Sequence, residues 1–145
     1  MNAVELCKKY QDALSNKDLP AIRSLFTPDA VVSAPVSGKA NIEQFHTYLF
    51  TSTKKTVANF PNVLGARQNP PSITMQFSYT LSVSTGDVAV IDGIVVFGID
   101  ESLGKFKSLD VIYDPSEIRR FMQDAGIEPP ATGSAATQQA GQQLR

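Results

Sequence analysis

Two residue types that carry much of protein chemistry are nearly missing from this chain of 145 residues: it has one cysteine, Cys7, and one histidine, His46. A single cysteine excludes an intrachain disulfide framework. One of each leaves no ligand set for a zinc site built from Cys and His, so the expectation is of no metal and no cofactor. Strong charge of one sign is missing as well. Thirteen basic and fourteen acidic residues leave a formal net charge of −1, and Lys8-Lys9, Lys54-Lys55 and Arg119-Arg120 are too short to make a basic patch, so no nucleic-acid partner is expected. The nine glycines are scattered and form no phosphate-cradling loop. There is no G-x-S-x-G nucleophile elbow. No stretch approaches the roughly 18 apolar residues of a membrane span, and Met1 to Tyr10 has no apolar segment of the kind a secretory signal needs. The expectation is a cytoplasmic protein that does not engage a membrane.

The residues that are present suit one globular domain. Hydrophobic residues make up 42% and charged residues 19% of the chain, and the length is near the commonest domain size. Ala3, Leu6, Cys7, Tyr10, Ala13 and Leu14 recur at spacings of three and four, which predicts an amphipathic helix over residues 2–15. Cys7 falls on its buried side and reads as inert core. A short helix from Leu19 to Phe26 follows, with Asp18 as its cap and Pro20 in its first turn. Ala30 to Ser33 reads as a short strand ended by Pro35 and Gly38. A third helix runs from Ile42 to about Thr51, capped by Asn41 with Gln44 completing a capping box. Its inner face carries Ile42, Phe45, His46, Leu49 and Phe50.

The second half is strand-rich. Residues 57–60 and 63–67 are weak strand candidates separated by Pro61. From Ile73 to Val83 apolar and polar residues alternate strictly, the signature of a half-buried strand. Ser84 to Asp87 reads as a tight hairpin turn. Val88 to Gly98 is apolar on both faces except for Asp92, and Lys105 to Tyr113 is a last strand. A terminal helix is expected from Asp114-Pro115, with Asp114 as cap and Gly126 as stop. Residues 128–145, small and polar with two prolines, read as a disordered tail. The fold class is therefore α+β: a curved, mostly antiparallel sheet wrapped around three N-terminal helices, cone-like with an internal pocket, plus a short C-terminal helix, all within residues 1–127.

Particular runs carry a family resemblance. YQDALSNKDLPAIRSLF at Tyr10 to Phe26, PDAVVSAPV at Pro28 to Val36, the Gly38-x-x-x-Ile42-x-x-Phe45 entry to the third helix, VAVIDGIVVF at Val88 to Phe97 and GKFKSLDVIYDP at Gly104 to Pro115 together resemble the nuclear transport factor two-like superfamily, in its ketosteroid isomerase and SnoaL-like branch. The resemblance covers about Ala3 to Met122. It implies that Tyr10 donates a hydrogen bond to a substrate oxygen and that Asp92, as a neutral acid, is the second donor. Ketosteroid isomerases are the established instance of such an aspartic acid. His46 falls where the branch often has a tyrosine bonded to the first. Ala34 falls where the isomerases have their aspartate base, and alanine cannot move a proton. The limonene-epoxide hydrolase-like branch is excluded, because the strand from Ile73 to Val83 holds no Arg-x-Asp and Val111 stands at the last-strand aspartate position.

Each candidate has a plainer reading. Asp92 can be a strand carboxylate at the sheet margin. Tyr10 and His46 can be core residues with satisfied polar atoms. On the functional reading, Tyr10, Asp92 and His46 form the catalytic set, with His46 as the replacement base. Leu14, Phe45, Phe77, Tyr79, Ile94, Leu109, Val111 and Tyr113 line the pocket. Asp110 should point away from it. The ligand would be an apolar small molecule whose carbonyl or hydroxyl is polarised by Tyr10 and Asp92. The alternatives are a non-catalytic ligand-binding module, or a dimeric interaction module of the same fold. A homodimer through the outer sheet face is expected, with Ile91, Gly93, Val95 and Phe97 on that face.

Overall fold

The structure, a computed structural model, describes residues 2–83 and 85–127. The tail assigned to 128–145 lies outside the described residues. Helix α1 spans Ala3–Ser15, and the Asn2 side chain caps it by accepting from the Val4 and Glu5 amides. Helix α2 spans Leu19–Leu25, with Asp18 accepting from the Ala21 amide and Pro20 in the first turn. Helix α3 spans Ile42–Ser52. Its capping box is formed: the Asn41 carboxamide oxygen accepts from the Gln44 amide at 2.7 Å, and Gln44 reaches back to the Asn41 amide. Lys17, between α1 and α2, donates to the carbonyls of Phe50 and Thr53. A cation there satisfies carbonyls that the end of α3 would otherwise leave unpaired.

Seven strands form one open sheet among the described residues: β1 (Phe26–Ala34), β2 (Gly38–Asn41), β3 (Lys55–Asn59), β4 (Val63–Gln68), β5 (Pro71–Ser82), β6 (Val88–Asp100) and β7 (Lys105–Ile112). Their order is β2-β1-β7-β6-β5-β3, with β4 also paired to β5. Only the β1–β7 pairing is parallel. Strand β5 is long enough to hold β4 along its first half and β3 along its second. Helices α1–α3 pack on the concave side, where Cys7, Tyr10, Ala13, Leu14, Ile22 and Leu25 are buried against the sheet. The α+β class, with four helices and a curved, mostly antiparallel sheet, is the one the sequence predicts; the seventh strand, β2, is not.

Several local expectations need correction. Gly38 does not end the strand region. It takes a positive φ of 68°, a backbone that glycine tolerates best, and the chain turns back so that Gly38–Asn41 pairs with Ser33 and its neighbours as β2. Strand β1 accordingly extends from Phe26 to Ala34. Helix α4 begins at Ser116, not Asp114, and ends at Asp124. Pro115 occupies the cap position, and Asp114 acts from one residue earlier, accepting from the Ser116 amide at 3.0 Å.

The largest correction concerns the faces of β6. The inward row of β5 is Ile73, Met75, Phe77, Tyr79 and Leu81, all buried. These pair with Phe97, Val95, Gly93, Ile91 and Ala89, so it is the odd-numbered positions of β6 that face the core. Ile91, Gly93, Val95 and Phe97, expected on an outer dimerisation face, therefore point inward. Asp92 and Ile94, expected in the pocket, point outward. Asp92 pairs with Ser78, an outer residue of β5, and is exposed.

Candidate functional site

Between α1, α3 and the concave face of the sheet lies a cavity of about 130 Å³. Tyr10 and Leu14 enter it from α1, and Phe45, Tyr48 and Leu49 from α3. The sheet contributes Phe77, Tyr79 and Leu81 from β5, Ile91 and Val95 from β6, and Val111 from β7, with Tyr113 just beyond. Helix α4 turns its apolar stripe of Ile118, Phe121 and Met122 onto the same space. Ala34 and Ser37, flanking the turn into β2, complete one wall.

Of the pocket residues read from the sequence, Tyr10, Leu14, Phe45, Phe77, Tyr79, Val111 and Tyr113 line the cavity. Leu109 is buried on the inner face but in another layer of the core, opposite Phe97 in the β6–β7 ladder. Ile94 and Asp92 lie on the far side of the sheet, for the register reason given above. Asp110 is exposed, as expected. Ile91 and Val95 were assigned to the wrong face. Tyr48 and the α4 residues Ile118, Phe121 and Met122 also line the cavity, and the sequence does not point to them as pocket residues.

Asp92 sits instead in a separate outer depression with Val88, Val90, Asp114 and Glu117. Ile91, Ile118 and Phe121 line both spaces, but Asp92 lines only the outer one. An exposed carboxylate outside the cavity cannot be the second donor to a ligand within it.

His46 is fully buried and stands behind Tyr10 rather than in the cavity lining. Its ring lies among Tyr10, Phe26, Phe45 and Phe50. Nδ1 is 2.7 Å from the carbonyl oxygen of Ile42, one turn earlier on α3. A carbonyl only accepts, so Nδ1 carries the ring proton. Burial lowers the His46 pKa to about 4, so the imidazole is neutral near pH 7 and Nε2 has only its lone pair. Tyr10 lies 2.8 Å from Nε2, and its hydroxyl must therefore donate to His46. The pair that the resemblance implies is formed, but its direction decides the chemistry. With its proton committed to His46, Tyr10 can offer a ligand only lone pairs.

Proton relay through this pair is unfavourable. Burial, with a smaller contribution from the nearby Tyr79, raises the Tyr10 pKa well above its ordinary 10, against about 4 for His46. Moving the Tyr10 proton onto His46 would place a charge on each of two buried groups, and burial opposes the charged form of both. Ala34, where the resemblance implies a base, lines the cavity and cannot move a proton. Cys7 is buried in the core, and burial pushes its thiol up to about 12, which leaves it unreactive. No cluster of metal-ligating side chains occurs among the described residues, and no helix there is long and apolar enough to cross a membrane.

No family model and no curated protein matches the sequence. Solved structures do match it in shape. A protein described as a SnoaL-like polyketide cyclase from Shewanella denitrificans superposes with a TM-score of 0.67 at 15% identity, over 83% of this chain and 96% of that one. PrhC from Penicillium brasilianum gives a TM-score of 0.74 at 10% identity, over 85% and 87% of the two chains. A protein of ketosteroid isomerase-like fold from Catenulispora acidiphila, in complex with trimethylamine, gives 0.70 at 12% identity, over 86% and 94%. At these identities the likeness establishes the fold and leaves the chemistry to the residues.

Proposed function

We propose that this chain, which has the nuclear transport factor two-like fold, is a non-catalytic receptor or carrier for a small apolar ring compound. The observation that carries this reading is the direction of the Tyr10–His46 hydrogen bond. It turns the Tyr10–His46 pair away from general-base chemistry, and Ala34 supplies no replacement. What is left is an apolar cavity with aromatic walls. An apolar cavity of about 150 Å³ stays dry and holds benzene, so the 130 Å³ here suits a single six-membered ring.

The test combines binding with turnover. Toluene and other single-ring probes should bind saturably by calorimetry and be recovered unchanged. Asp92→Asn should bind them as the native chain does, since Asp92 lies outside the cavity. Ala34→Asp restores a carboxylate at the base position, yet it should not isomerise a conjugatable ketone, because Tyr10 has no proton to give and Asp92 is absent from the site. Ketone isomerisation by Ala34→Asp that is lost again in Ala34→Asp/Tyr10→Phe would overturn the reading in favour of an enzyme. Failure of every single-ring probe to bind the native chain would overturn it outright.

A further inference from the structure

Tyr79 belongs to the inner row of β5, paired with Ile91 on one side and Ala58 on the other. It is 6% exposed and lines the cavity. Its hydroxyl is buried and has no hydrogen-bond partner among the described residues. The Thr56 hydroxyl is close enough to bias the phenol, but that contact falls outside hydrogen-bond geometry, and Thr56 donates to the Leu14 carbonyl at 3.1 Å. Burial raises the Tyr79 pKa, so the hydroxyl keeps its proton. A buried, unpaired hydroxyl is costly in a native fold and calls for an explanation such as a missing partner.

Two of the four tyrosines that line the cavity, Tyr10 and Tyr79, therefore have opposite states. Tyr10 has used its proton on His46. Tyr79 has a proton and nothing to give it to. Resting on the receptor reading above, we infer that Tyr79 is the donor of this pocket, and that the ligand is a small ring compound bearing an acceptor oxygen, of the phenol or cyclic alcohol class, seated against the Tyr79 hydroxyl. A bound oxygen there completes the hydrogen bond that the free protein leaves unmade. A hydroxyl suits the site better than a carbonyl, since its own proton can turn toward the lone pairs that Tyr10 still offers.

Phenol and toluene test this as a matched pair. A wholly apolar cavity would reject phenol, because its hydroxyl would lose water and gain nothing. Here phenol should bind at least as tightly as toluene. Tyr79→Phe should weaken phenol roughly tenfold while leaving toluene unchanged. The ligand-free Tyr79→Phe chain removes an unpaired buried hydroxyl, so it should fold and melt about 3 °C or more above the native chain. If toluene binds but Tyr79→Phe leaves phenol affinity intact, or lowers the ligand-free melting temperature, the assignment of Tyr79 fails and the receptor reading stands. If neither probe binds the native chain, both fail.

Discussion

Acidification from pH 7 to pH 4 should cost this protein on the order of 3 kcal/mol of folding stability, and His46→Gln should remove most of that pH dependence. In the unfolded chain His46 takes up a proton near its ordinary 6.5, whereas in the fold burial holds its pKa at about 4. Between these values the unfolded state binds more protons than the native state, so stability rises with pH and falls as pH drops. The window is set by these two values: the contribution is complete above about 6.5 and gone below about 4. Asp100 and Asp114 are held below the usual carboxylate range mainly by the Ser102 and Ser116 hydroxyls, so what they contribute is lost at lower pH than most of the His46 window. Urea melts at half-unit pH steps read the slope directly. A native chain with no loss of stability between pH 6.5 and 4.5 would mean that His46 titrates normally and that the Tyr10–His46 bond does not have the direction assigned to it.

Gly93→Ala should lower the melting temperature by about 10 °C. Gly93 faces inward on β6 opposite Phe77. A Cβ built there would lie 2.2 Å from the Ile112 carbonyl oxygen, 2.9 Å from the Phe77 ring and 3.0 Å from Tyr113 Cβ. The first of these is backbone, so one methyl group must part β6 from the end of β7 or tilt the sheet. Overpacking of this kind costs about 2–3 kcal/mol, and for a domain of this size each kcal/mol moves the midpoint by roughly 3–5 °C. Phe77 and Tyr113 both line the cavity, so the same substitution should also weaken toluene binding. Calorimetric scans of the two chains check the first effect and a toluene titration the second. An unchanged melting temperature would show that β6 and β7 do not approach as closely as the register places them.

Much of the fold could be read from the residues in order. Asn41 with Gln44, Asp18 with Pro20, and the three-four spacing of α1 are local signals, and the structure forms each of them. The strict alternation from Ile73 fixed the inner face of β5 for the same reason. The pocket walls from α1, α3 and β5 followed from those faces. Strand β6 could not be read in this way. It is apolar on both sides, so alternation gives no parity and only the pairing with β5 supplies it. A four-residue turn over 84–87 would pair Val83 with Val88 and set Asp92 opposite Tyr79, inside the pocket. The strands pair Ser82 with Val88 instead, through a loop one residue longer. A slip of one position moves every side chain to the other face, which is why Asp92 and Ile94 left the pocket and Ile91 and Val95 entered it.

The polarity of the site was legible in identity but not in direction. Tyr10 and His46 could be placed on facing helices, and a bond between them was implied by resemblance. Which of them donates depends on the Ile42 carbonyl that fixes the histidine tautomer, a contact with no signature in composition or spacing. The orphaned Tyr79 hydroxyl is likewise a property of packing, since whether Thr56 meets it or turns to Leu14 is settled only in three dimensions.

The most direct test of a receptor cavity is an NMR titration of the isotope-labelled chain with toluene, following methyl resonances. Saturable shifts at Leu14, Leu81, Ile91, Val95 and Val111, with those of Ile94 and Val90 unmoved, would place the ligand inside the cone. Shifts confined to Val88, Val90 and Ile94 around Asp92, or no saturable shift at any methyl, would contradict it.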